Sequence, residues 1–214
     1  MKLFFTGALL AATAASFATV ITFDDGAVTA GNTLSNQYAG LGVTFAGGTS
    51  GLAVPNPAAT TQGFATTTDM TIVSSTGGDV GGGVSSPISG NMLHSFNGWL
   101  GEDGDAAYTM TFSGGITAIS VDFGGVSDSA SAGLYAFNAA GTLVGSVAGI
   151  SQTGTFTLSL SGLVGANRVV VTEGDYGDWV GTDNINFTSA VPEPASMTAL
   201  GLGTLALIRR RKSR

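Results

Sequence analysis

The sequence predicts an all-β body built as an antiparallel two-sheet sandwich, and three observations carry that prediction. Apolar residues alternate with polar ones at period two in several separate segments. Gly, Thr, Ser, Ala and Val dominate between the two ends, a composition that favours short strands over long helices. Gly-rich turn signals recur between the alternating segments. Of the 214 residues, the two ends read as targeting segments. Residues 19–190 then form the body, a length that suits one domain with a real core.

The chain opens with Met1-Lys2, a continuous apolar and small stretch from Leu3 to Ala15, and Ser16-Phe17-Ala18 before Thr19. A charged start, an apolar run and small residues at a cleavage site make residues 1–18 a secretory signal peptide, helical while it is being inserted and removed after Ala18.

Within the body, Tyr108, Met110 and Phe112 share one face of a segment; Ile119, Val121 and Phe123 share another; Phe156, Leu158 and Leu160 a third. Each reads as a half-buried strand. Leu134 to Phe137 and Thr142 to Val147 form a hairpin around Asn138-Ala139-Ala140-Gly141, where Gly141 can take a positive φ. Val20 to Phe23, Gly42 to Phe45, Met70 to Val73, Met92 to Phe96, Arg168 to Thr172 and Asn184 to Phe187 complete about ten short strands. That number fits a sandwich or jelly roll. Gly47 to Gly90 carries Pro55, Pro57, Pro87 and the run Gly77 to Gly83, and reads as long loops around one or two strands. The glycine run has no lysine and no helical pattern after it, so it is not a phosphate-binding loop.

Residues 191–214 divide into three parts. Val191-Pro192-Glu193-Pro194 is held extended and accessible, because its prolines deny a helix its backbone donors. Ala195 to Ile208 is an apolar run that would measure about 21 Å as a helix, short of a typical hydrocarbon core of about 30 Å. Arg209, Arg210, Arg211 and Lys212 then hold the cytoplasmic side of a C-terminal membrane helix.

The combination Val-Pro-Glu-Pro-Ala-Ser, apolar helix and Arg-rich end resembles the PEP-CTERM sorting signal of Gram-negative bacteria. The resemblance implies recognition by an exosortase in the inner membrane, with Pro192, Glu193 and Pro194 as the recognition motif and Arg209, Arg210 and Arg211 in the stop-transfer cluster. It implies transfer to the cell surface or extracellular matrix of an organism that makes extracellular polysaccharide. The body also resembles those that accompany this tail, in Val20 to Asp25, Leu41 to Phe45, the hairpin and Thr182 to Phe187. These patterns are shared by jelly-roll domains of carbohydrate-binding and adhesive type.

Charge narrows the function classes. Arg168 is the only Lys or Arg of the body and faces thirteen carboxylates, a net charge of −12. Such a surface excludes nucleic acid, whose phosphates call for cations. The chain has no cysteine, so disulfides, thiolate metal sites and cysteine nucleophiles are excluded. One histidine, His94, on a strand, and no Gly-x-Ser-x-Gly elbow leave little from which to build an enzyme. A glycan hydrolase would need two facing carboxylates, and Glu102 and Glu173 are the body's only glutamates.

Two constellations remain. Asp24, Asp25 and Asp183 sit at strand ends that a sandwich can bring together. Either they offer calcium a set of oxygen ligands or they are turn formers on a solvated acidic surface; many jelly-roll sugar binders carry calcium between their terminal strands, so the resemblance implies the first. Asp175, Asp178 and Asn184 extend this group, and Glu102-Asp103-Gly104-Asp105 is a second acidic turn. Trp99, Tyr176 and Trp179 lie beside glycines and acids in loops, where they serve either as stacking platforms for sugars or as anchors pinning those loops. The sequence thus points to a non-enzymatic surface protein of structural or adhesive role, with a calcium-assisted, lectin-like binder of extracellular polysaccharide as the alternative and a secreted glycan hydrolase behind it. Signal peptidase, exosortase and, transiently, the inner membrane are its expected export partners.

Overall fold

The computed structural model describes residues 18–55, 70–76, 88–94, 107–126, 132–148, 154–173 and 181–190. The predicted signal helix, the C-terminal helix and the sorting motif lie outside them. Nine antiparallel strands follow in order: β1 (Ala18–Ile21), β2 (Val43–Gly47), β3 (Thr71–Ser74), β4 (Asn91–His94), β5 (Ala107–Val126), β6 (Gly133–Asn138), β7 (Leu143–Ala148), β8 (Gly154–Thr172) and β9 (Gly181–Ser189). A single 3-10 turn, Ala39–Leu41, is the one helical element among the described residues.

The sequence segments at 108–112 and 119–123 are two halves of one strand, as are those at 156–160 and 168–172. Residues 107–111 of β5 pair with 168–172 of β8, and residues 118–123 pair with 156–161, with register shifts between. The first half of β5 also pairs with β2, and the second with β9. One layer therefore runs β2-β5-β8-β6-β7. The other runs β3-β4-β9-β5-β8, with β1 sharing the β4 side of β9.

The two layers face each other. Were β5 straight, Tyr108 and Phe123 would lie about 50 Å apart at roughly 3.3 Å per residue. Instead the Tyr108 hydroxyl is 2.9 Å from Oγ1 of Thr182, the register partner of Phe123. The fold-back falls at Ser113-Gly114-Gly115, where Gly115 has φ 72°, and its counterpart in β8 has Gly162 and Gly165 at φ 67° and 70°. Both ends of β5 and of β8 consequently lie at one end of the body, and the bends at the other.

The alternating residues fill the space between the layers: Tyr108, Met110, Phe112, Ile119, Val121 and Phe123 are buried, and Phe112 meets Phe187 edge-on at 5.0 Å. Phe23, Tyr38 and Phe45 continue this core under the first loop. On β6, Leu134 and Ala136 join the main core while Tyr135 and Phe137 pack on the other side under Leu52. Residues 18–190 form one compact unit with its own core, the condition for folding alone.

Candidate functional site: the acidic junction on β9

β1 pairs with β9 as far as Ile21–Ile185, and β4 takes over the same side at Leu93–Thr182. Asp183 and Asn184 lie between, where neither strand completes the ladder. Side chains fill that gap. The Asn91 amide donates to Asp24 Oδ1 at 2.8 Å, and Asn91 Nδ2 donates to the Phe23 carbonyl at 3.1 Å. Gly90, at φ 72°, lies so close to the Asp24 carboxylate that any side chain there would collide with it. The backbone is bent on both sides: Phe23 and Asn184 adopt positive φ of 56° and 47°. Asn tolerates that region, whereas for Phe it costs on the order of 1–3 kcal/mol, offset by complete burial of the ring.

Asp183 is 1% exposed, and among the described residues its Oδ1 has no hydrogen-bond partner. Burial pushes its carboxyl up to about 7; the Asn184 and Ser89 amides pull the other way, while Asp24 and Asp122 add to the rise. Asp122, its register partner, is satisfied by Thr157 and, at 2.9 Å, by Asn184 Nδ2. Asp25 is engaged elsewhere, accepting from the Ala27 amide at 2.9 Å and from the Tyr38 hydroxyl at 3.1 Å. Burial and the nearby Asp25 carboxylate raise the Tyr38 hydroxyl above its ordinary range. The predicted proximity of the first and last strands is therefore present, with Asp24 and Asp183 at the junction and Asp25 turned to Tyr38. Among the described residues, no three His, Cys, Asp or Glu side chains form a group that could hold a metal ion.

A second polar chain, which the sequence reading did not single out, spans the layers next to this junction. Tyr108 bonds Thr182, whose hydroxyl donates at 2.9 Å to Oε1 of the fully buried Glu173. Burial and Glu173 raise the Tyr108 hydroxyl well above its usual range. The period-two pattern marked Tyr108 as core, but nothing local paired it with residues so distant in sequence. His94 ends β4 and is buried.

Trp99, Tyr176 and Trp179 lie outside the described residues, as do Glu102, Asp103, Asp105, Asp175 and Asp178. The ends of their segments are placed. Segment 95–106 runs from β4 to β5 and segment 174–180 from β8 to β9, and Ala107–Thr172 and Leu93–Thr182 are register pairs. Both segments thus leave from and return to the same end of the body.

Residues 190–212 match the PEP-CTERM protein-sorting motif, and the chain carries that motif immediately after its last strand. No curated protein matches the chain. Among solved structures it is similar to the K2 cleaved adhesin domain of Lys-gingipain, at 14% identity and a TM-score of 0.48, covering 81% of this chain and 98% of that one. It is also similar to the K3 cleaved adhesin domain of Lys-gingipain from Porphyromonas gingivalis, at 13% identity and TM-score 0.40, covering 82% and 100%. A family 29 carbohydrate-binding module gives 13% identity and TM-score 0.38, covering 81% and 93%.

Proposed function

We propose that this exported protein is a structural or adhesive component of the cell surface or extracellular matrix of a Gram-negative bacterium, a jelly-roll-like sandwich that is displayed rather than catalytic. Signal peptidase releases it at Ala18, and an exosortase then cuts it from its C-terminal segment in the inner membrane. One observation carries this reading: the sorting motif begins directly after β9, the last strand among the described residues. The Ala190 amide donates to the Gly115 carbonyl at 3.0 Å, the last backbone bond among the described residues, just before Val191-Pro192. Cleavage near Pro192 to Ala195 falls beyond β9 and leaves all the described strands in the released body. The body's chemistry supports a passive role, since its lone Arg168 is held on the carbonyls of Asn138 and Ala139 and Glu173 is buried under Thr182.

Intact-mass measurement of cell-surface material tests the route. The expected species begins at Thr19 and ends near residues 192–195, and Glu193→Ala leaves the precursor in the inner membrane. A full-length Arg214 terminus from cells with a working exosortase overturns the assignment.

A second reading, calcium-assisted binding of extracellular polysaccharide, is favoured by the unpartnered Asp183 oxygen and by the shared end from which the segments of Trp99, Tyr176 and Trp179 depart. Calcium would take Asp24 and Asp183 as its carboxylates and complete its shell with amide, carbonyl or water oxygens. A glycan array run with and without chelator separates the two readings: the second expects chelator-sensitive binding that Trp179→Ala or Asp183→Asn abolishes, the first expects none. Glycan hydrolysis loses ground, because Glu173 is fully buried.

A further inference from the structure

The fold meets the two cuts of the proposed export route in different ways. The cut after Ala18 falls inside β1, where Ala18 pairs with Thr188 and Thr19 with Phe187. The cut near Pro192 to Ala195 falls past Ala190, whose amide makes the last backbone bond among the described residues. Among the described strands β1 pairs with β9 alone, and β9 is the last of them. The Ala18–Thr19 bond therefore stays out of any ladder until the chain is complete through Thr188.

Once β9 is in place, β1 is held at several points. Ile21 is fully buried opposite Ile185, and Phe23 is fully buried two residues on. The Asn91 amide and side chain then bond the Asp24 carboxylate and the Phe23 carbonyl. Ala18 and Val20 are exposed and Thr19 is half-buried, so the scissile bond itself lies at the surface. What docking takes from it is the freedom to leave β9. A protease acts on a segment that has opened from its ladder, and where opening and closing are fast its rate follows the population of the open form.

We propose, resting on the export route above, that β9 sets a deadline for removal of the signal peptide: the Ala18–Thr19 bond is hydrolysed while β1 is unpaired, and docking of β1 on β9 closes it to attack. The hydrolysis consumes one water and leaves a carboxylate on Ala18 and an amine on Thr19. Thr19, Val20 and Ile21 keep their partners Phe187, Asn186 and Ile185, so the cut chain completes the same ladder less one pair. The C-terminal cut carries no such deadline, because the chain from Val191 follows the last backbone bond among the described residues. The order of processing follows from the pairing: signal peptidase acts on the open chain, and the exosortase is free to act after β9 has docked.

The test uses the purified full chain, diluted from denaturant into detergent with signal peptidase present from the start or added after refolding, with cleavage followed by mass. Early addition should cut after Ala18. Late addition should cut at least about tenfold more slowly, because opening β1 draws Ile21 into water. A lock sharpens the comparison, since the chain has no cysteine of its own. Val20 and Asn186 are register partners with exposed side chains, so Val20→Cys with Asn186→Cys ties β1 to β9 when oxidised and frees it when reduced. The oxidised, refolded double variant should resist the enzyme, and reduction should restore the slow cut of the refolded parent. Equal rates for early and late addition to the parent, or an oxidised form cut as fast as the reduced one, would overturn the inference and leave the export route standing. No cut after Ala18 even with the enzyme present from the start would overturn the Ala18 assignment of that route, and the inference with it.

Discussion

Asp183 combines near-complete burial, an unpartnered oxygen and two neighbouring carboxylates, so its protonation is coupled to stability. Its carboxyl titrates at about 7 in the fold, against about 3.9 in an unfolded chain. Between those values the folded state binds the extra proton, so stability from this group is greatest below about pH 4 and is lost as pH rises through 7. The expected outcome is a melting temperature that falls from pH 5 to pH 8. Asp183→Asn, neutral throughout, should flatten that slope and be the more stable form at pH 8. Calcium bears on the same residue: if it binds there, millimolar calcium at pH 8 should raise the melting temperature of the parent beyond sodium chloride at equal ionic strength, and do nothing for Asp183→Asn. At a hundredfold excess over its dissociation constant the gain is about 2.7 kcal/mol. Equal shifts from both salts would reduce the junction to screened repulsion. Asp183 was legible as a candidate because the sequence places an acid near the end of the last strand. Its orphaned oxygen was not legible, since burial there depends on β1 and β4 meeting beside β9.

Two elements show how glycine and arginine fix strand geometry. The β6–β7 turn has Gly141 at φ 81°, as the Asn-Ala-Ala-Gly sequence predicts. Asn138 Oδ1 accepts from the Ala140 and Thr142 amides, while Arg168 donates to the Asn138 and Ala139 carbonyls. A methyl group at 141 would meet only ordinary contacts at 3.7 Å. Gly141→Ala should therefore cost only its backbone strain, about 1–2 kcal/mol in urea unfolding. The bend of β5 is less forgiving: Gly115 has φ 72°, and a β-carbon there would lie 3.0 Å from the Ala166 carbonyl. Gly115→Ala adds collision to strain and should cost more than Gly141→Ala in the same measurement, about 2–4 kcal/mol. Equal costs would place the fold-back elsewhere. Local pattern located the halves of β5 and β8 but divided each strand in two, because a bulge containing glycines reads in sequence as a turn between separate strands.

At the scale of the molecule, the two layers are tied by a buried polar chain, Tyr108–Thr182–Glu173. Tyr108→Phe removes the hydroxyl that meets Thr182 and should destabilise the body by about 1–2 kcal/mol without altering its secondary structure. Unfolding followed by circular dichroism checks both parts. The sequence by itself determined the sorting motif, the all-β composition, the excess of carboxylates in the body, the hairpin at Gly141 and most strand cores. Each is written in residues a few positions apart, where period two, turn chemistry and composition act directly. Only the tertiary structure decided that β5 and β8 fold back, that Asp25 turns to Tyr38 while Asp183 is buried, and that residues 31–38 bond along the outer edges of β2 and β3. Those outcomes depend on which groups find partners beyond their own segment, from Asp25 with Tyr38 to Ala107 with Thr172. Hydrogen-bond pairing at that range is set by how the layers close, and no local pattern encodes it.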